Sequence, residues 1–167
     1  MNVERSMLGV KKMQQKSAGL LIYRTKENQL EVLLIHPGGP FWKNKDAASW
    51  SIPKGLYLDN EHPLDAAKRE FKEETGLTPP KGSYIELTPQ KQPSGKIVSA
   101  YCTHGDYDAS KITSNTFEIE WPPKSGKKQT FPEADRAAWF NLKDAKKKIL
   151  KGQLPFLDEL QKSLKSD

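Results

Sequence analysis

Residues 55–77 read GLYLDNEHPLDAAKREFKEETGL, and the second half of that stretch is the clearest helix in the chain. Pro63 suits a first helical position, where its missing N–H costs nothing. Leu64, Ala67 and Phe71 recur at helical spacing and predict a buried stripe on a helix over residues 63–75. Gly76 ends that helix as a C-cap, and Pro79-Pro80 prevents its return. Three carboxylates occupy another face: Glu70, Glu73 and Glu74 fall within an arc of about 100°. Negative charges that close repel strongly away from water. A divalent cation relieves the repulsion, and hard oxygen ligands suit Mg2+, which keeps several waters and takes phosphate oxygens at the same time. The plain alternative is a solvated acidic face, the usual fate of a charge run.

A wider pattern favours the cation. Gly55, Glu61, Arg69, Glu70, Phe71, Glu73, Glu74, Gly76 and Leu77 follow the spacing G-x5-E-x7-R-E-U-x-E-E-x-G-U, with U apolar. A chance match in a chain this long is on the order of one in ten million. These 23 residues match the Nudix box at every position, and most of residues 17–150 resembles the Nudix hydrolase family. The resemblance implies an α+β Nudix fold, an α/β/α sandwich with a mixed β-sheet between helices. It also implies Mg2+-dependent hydrolysis of the diphosphate linkage in a nucleoside diphosphate joined to some group X, with Mn2+ as the alternative ion. By the same resemblance Glu70, Glu73, Glu74 and the Gly55 carbonyl are the metal ligands. Arg69 orients a metal-binding glutamate, and Glu61 pairs within the same loop–helix unit. Nudix enzymes take their general base from the box, here Glu73, or from a later loop. Glu133, in FPEADRAAWF, stands where diadenosine polyphosphate hydrolases carry a glutamate. It is either that base or a rim carboxylate.

Other stretches bear on the substrate. Lys54 in WSIPKG abuts Gly55, and a proline-lysine-glycine lead-in resembles the diadenosine polyphosphate and diphosphoinositol polyphosphate branches. Lys54 is a phosphate contact or one more surface lysine. In HPGGPFW, Phe41 and Trp42 either stack on a nucleobase or cover the core beneath the loop, and His36 reads as structural. HPGGPFW, WSIPKG and EWPPKSG together resemble a bacterial branch of predicted Nudix NTP pyrophosphohydrolases. Pro93, 16 residues past Leu77, is one position off the spacing of Nudix ADP-ribose hydrolases and lies in a turn, so it does not assign ADP-ribose. Two other classes compete with a small-nucleotide hydrolase. A non-catalytic nucleotide-sensing module is disfavoured because Glu70, Glu73 and Glu74 are all kept. RNA 5′-end hydrolysis is disfavoured by the lack of an RNA-binding domain or arginine-rich segment.

Outward from the box, Ser17–Tyr23 and Glu31–His36 read as strands around a hairpin loop at Arg24–Gln29. Trp50–Ile52, Tyr84–Leu87, Lys96–Cys102, Thr116–Trp121 and Ala137–Leu142 are further extended pieces, and Pro122–Pro132 reads as a basic loop. Lys143–Leu150 and Pro155–Leu164 are expected helices, the second with a wide apolar face that closes the domain. Residues 1–16 are expected to be a loosely held arm and 17–167 one domain.

Composition sets the remaining bounds. A net charge of +6 favours anionic ligands, yet 23 of the 27 basic residues are lysine, which argues against a dedicated DNA reader. The single cysteine, Cys102, permits no intrachain disulfide, and residues 1–16 lack the apolar core of a signal peptide. No apolar run approaches the roughly 20 residues of a membrane span. The expectation is a cytoplasmic monomer or homodimer acting on a small nucleotide diphosphate derivative, without DNA or membrane.

Overall fold

In the computed structural model, which describes residues 15–165, a seven-stranded sheet lies between helices. The strands are β1 (Lys16–Lys26), β2 (Gln29–Pro37), β3 (Lys54–Leu56), β4 (Ile85–Glu86), β5 (Gln90–Lys91), β6 (Ile97–His104), β7 (Thr116–Glu120), β8 (Lys128–Pro132) and β9 (Ala134–Asn141). The helices are α1 (Pro63–Thr75), α2 (Leu142–Lys148) and α3 (Leu154–Lys165). The main sheet runs β4-β6-β1-β2-β9, with β3 also on β1 and β5 also on β6. The β1–β6 pairing is parallel and the others are antiparallel, so the sheet is mixed as expected. The arm expected over residues 1–16 lies outside the described residues except for Gln15 and Lys16, and Lys16 already opens β1.

The central strands are apolar without alternation because both sheet faces are covered. Ala18, Leu20, Ile22 and Leu33 pack with Ala66, Ala67 and Phe71 of α1. Leu21, Val32, Leu34, Val98, Ala100 and Cys102 point the other way, onto Phe156, Leu157 and Leu160 of α3. Helix α1 has the predicted bounds. His62 caps its N-terminus by accepting from the Leu64 N–H, and Gly76, at φ 73°, donates to the Lys72 carbonyl. The left-handed backbone at Gly76 is why that position takes glycine.

Two loops are shorter than expected. The β1–β2 turn is only Glu27-Asn28, both at positive φ, so Arg24–Lys26 belongs to β1. Strand Arg24 is accommodated because its guanidinium pairs with Glu31 and Asp106 and lies 4.0 Å from the centre of the Trp139 ring. The basic loop also contains β8, which pairs with β7 as a separate hairpin with Phe117 facing Phe131. Strand β8 reads KQTFP with only Phe131 partly covered, so it carries no alternation to signal a strand.

Candidate active site

Helix α1 packs over β1, and β3 pairs with the same strand, so α1 and the backbone of residues 54–56 are brought side by side. Arg69 organises the resulting acidic cluster. Its Nε and one terminal nitrogen donate to both Glu61 carboxylate oxygens at 2.9 Å. The other terminal nitrogen donates to Glu70 at 2.5 Å and Glu73 at 3.2 Å. One guanidinium therefore spans three carboxylates. Its hydrogen bonds hold the Glu61 carboxyl below the usual range, and Glu61 in turn pushes Arg69 further up.

Glu70 and Glu74 meet the chain at residues 54–55. A Cβ on Gly55 would lie 1.9 Å from Glu70 Oε1, so glycine is required there by the carboxylate itself. Glu74 Oε1 accepts from the Lys54 backbone N–H at 2.8 Å. Burial pushes the Glu74 carboxyl up to about 8, opposed by that hydrogen bond and reinforced by the charges of Glu133 and Glu70. Burial likewise raises Glu70 and lowers Lys54. Two part-buried carboxylates that resist ionising, both packed against the backbone of residues 54–55, form a donor set suited to a hard cation. Among the described residues no three His, Cys, Asp or Glu side chains make a ready-made metal cage.

Next to these groups lies a cleft of about 180 Å3, lined by Lys54, Glu74, Glu133, Trp42, Pro37 and Ser51 among others. Glu133, the residue between β8 and β9, enters it from the sheet edge of the cleft. Its N–H donates to the Asn115 carbonyl and its carbonyl accepts from Gly38, while the Asn115 N–H donates to the Glu73 carbonyl. Asn115 thus ties the Glu133 segment to the end of α1. The Glu133 carboxylate makes no hydrogen bond or ion pair within the described structure, and its charge raises both Glu70 and Glu74. Phe41 is not part of the cleft lining. Its ring is 64% exposed and meets Trp121 of the β7–β8 hairpin edge-on at 5.3 Å. A larger hollow of about 590 Å3 lies at Arg24, Asp106 and Trp139, where Arg24 already pairs with Asp106.

The sequence signature of the NUDIX domain matches residues 13–160. The chain belongs to the Nudix family. It is a Nudix hydrolase, an enzyme of phosphoric anhydride bonds. Solved structures agree on the fold. The NUDIX domain of Shewanella oneidensis NrtR complexed with ADP ribose is similar at a TM-score of 0.63 and 17% identity, covering 98% of this chain and 99% of that one. A C. elegans Ap4A hydrolase binary complex is similar at 0.62 and 23% identity, covering 90% and 99%. A MutT/nudix family protein from Enterococcus faecalis is similar at 0.55 and 19%; 84% of this chain covers 51% of that protein, about half its length.

Within the Nudix box, the fold brings Gly55, Glu70 and Glu74 together, with Lys54 and Glu133 at the same cleft. Glu61 and Glu73 lie on the Arg69 side. His36 is fully buried near the end of β2. Asn115, Asp135 and Ser51 contribute to the surroundings and carried no signal in the sequence, since each acts through a contact distant along the chain. One consequence is testable at Gly55. Gly55→Ala should displace Glu70 and lower kcat by about 10-fold or more, because small displacements of catalytic groups are costly. Wild-type kinetics in a folded variant would show that Glu70 has room to spare.

Proposed function

We propose that this Nudix hydrolase performs Mg2+-dependent hydrolysis of the diphosphate linkage in a nucleotide or dinucleoside polyphosphate, in the cytoplasm. The observation that carries the reading is the meeting of Lys54, Glu74, Glu133 and Trp42 in one cleft beside Gly55 and Glu70. Glu70, Glu74 and the Gly55 carbonyl would hold Mg2+, with Glu73 in reserve on the Arg69 side and Mn2+ as the alternative ion. Bound there, the ion neutralises phosphate oxygens and makes a water more acidic.

The chain's own groups supply the rest. Glu133 accepts the proton of the attacking water. It is favoured over Glu73 because its carboxylate has no internal partner, whereas Glu73 is held by Arg69. Lys54 offers its ammonium to the phosphate chain, and Trp42, rather than Phe41, offers a ring to the base. About 180 Å3 falls below the roughly 300–1,000 Å3 of a site that encloses a whole ligand. A cleft of this size holds only part of an extended substrate, which is in keeping with a dinucleoside polyphosphate. The Ap4A hydrolase similarity is in keeping with this choice. The lone, buried Cys102, its thiol pushed up to about 11 by burial, suits a reducing compartment.

The test is product release from nucleoside triphosphates, diadenosine tetraphosphate, ADP-ribose, a nucleotide sugar and a diphosphoinositol phosphate, with Mg2+ and with chelator. Products are identified by mass. Mg2+-dependent cleavage of diadenosine tetraphosphate above the others is expected. Cleavage that survives chelation, or no cleavage by folded, metal-loaded protein, would overturn the reading. Lys54→Ala should raise KM more for longer phosphate chains than for short ones. Equal effects across chain lengths would reduce Lys54 to a surface residue.

A further inference from the structure

His36 lies outside the cleft, fully buried at the end of β2, yet its ring connects the two segments that wall it. Nδ1 faces both carboxylate oxygens of Asp135, at 3.1 and 3.2 Å. Nε2 faces the Lys45 carbonyl at 2.6 Å. The ring therefore stands within hydrogen-bond distance of both partners at once, one at each nitrogen. The Trp50 ring, edge-on at 5.2 Å, closes its surroundings.

Each partner leads to a cleft residue. In the β2–β9 ladder His36 pairs with Arg136 but Pro37 pairs with Ala134, so Asp135 is the extra residue of a bulge. Bulges re-aim side chains and recur beside active sites. Here the bulge turns Asp135 onto His36 and brings Glu133, two residues earlier, to the cleft. Gly38 N–H then donates to the Glu133 carbonyl at 3.0 Å. On the other side, Lys45 N–H donates to the Trp42 carbonyl at 3.0 Å. Among the described residues, the His36–Lys45 hydrogen bond is the one that ties the stretch 39–45 to the sheet. Arg136 also reaches Asp135, at 3.3 Å, but from an exposed position.

We infer that His36, with Asp135, is a positioning residue for both cleft walls: through Asp135 it sets Glu133, and through Lys45 it sets Trp42. The inference rests on the roles given above to Glu133 as base and Trp42 as stacking ring. The two arms can be cut separately. An asparagine amide nitrogen lies near the place of Nδ1, and a glutamine amide nitrogen near that of Nε2. His36→Asn keeps the contact with Asp135 and loses the one with Lys45; His36→Gln does the reverse. Both are preferred to His36→Ala, which strips Asp135 of its buried partner and risks unfolding.

The experiment measures kcat, KM, Tm and the amide exchange of Gly38 and Lys45 in both variants, beside Glu133→Gln. His36→Gln should lower kcat by about 10-fold or more with KM held, and speed Gly38 exchange. His36→Asn should raise KM by about 5-fold or more with kcat held, and speed Lys45 exchange. That crossed pattern supports positioning. Equal changes in both variants, or a fall in Tm with kcat and KM per folded enzyme unchanged, would overturn it and leave His36 a core residue. A crossed exchange pattern with Glu133→Gln kinetically silent would uphold the positioning and remove Glu133 from the base role instead.

Discussion

Glu74→Gln should lower kcat by roughly 10²–10³-fold, the several kcal/mol that a correctly held cation contributes to a developing phosphoryl charge. The substitution is close to isosteric. Its amide oxygen still accepts the Lys54 N–H that Glu74 Oε1 accepts now, so the junction of α1 with β3 stays closed. What it removes is a negative charge in a part-buried place. Burial has raised this carboxyl to about 8 in the folded chain. The unfolded chain ionises it near the ordinary carboxylate value of about 4.3. Between those two values the folded state binds the extra proton, so stability falls as pH rises through that window. Metal-free Glu74→Gln should therefore be more stable than metal-free wild type at pH 8, with the difference vanishing toward pH 4. Adding Mg2+ should reverse the order, since cation binding stabilises only the chain that can hold it. Thermal melts at pH 5 and pH 8, with Mg2+ and with chelator, read all four states. Turnover near the wild-type rate would remove Glu74 from the metal site. A metal-free variant less stable than wild type at pH 8 would contradict the raised carboxyl.

Arg69→Ala should have the second-largest effect. Arg69 binds Glu61 through two nitrogens and reaches Glu70 and Glu73 with the third. Without it the three carboxylates lose their common counter-charge, and Glu70 loses the donor that aims it at Gly55. Partners that orient metal ligands typically contribute about 10–100-fold in metal affinity. The expected result is a rise of that size in the Mg2+ concentration for half-maximal activity, together with a lower kcat at saturating metal. Arg69→Lys should not restore it. An ammonium is a point charge and cannot hold one carboxylate bidentately while reaching two others. A magnesium titration of wild type and both variants tests this. Recovery in the lysine variant would reduce Arg69 to a source of charge. Unchanged magnesium dependence in Arg69→Ala would detach Arg69 from the metal site altogether.

The sequence by itself determined what depends on local spacing. Helix α1 and its caps follow from Pro63, the Leu64, Ala67 and Phe71 stripe, and Gly76, because periodicity and capping act within a few residues. The acidic face follows from helix geometry alone, and the full motif carried the family. The paired covered sheet faces were legible as unbroken apolar strands. Tertiary structure decided what depends on contacts between distant segments. That Gly55 must lack a side chain is a matter of Glu70, brought against it by the packing of α1 and β3 on β1. Whether Glu133 stands at the cleft was open until the β9 bulge and Asn115 placed it there. Phe41 and Trp42 are adjacent in the chain and indistinguishable by type, yet one ring lines the cleft and the other rests on Trp121. Strand β7 was legible from its alternation, but β8, polar except for Phe131 and Pro132, was not, because the cross-strand pairing that makes it a strand lies outside any local window. His36 and Asp135, ninety-nine positions apart, meet only in the fold. Periodicity is written in neighbouring residues; a cleft is written in the distances that packing sets.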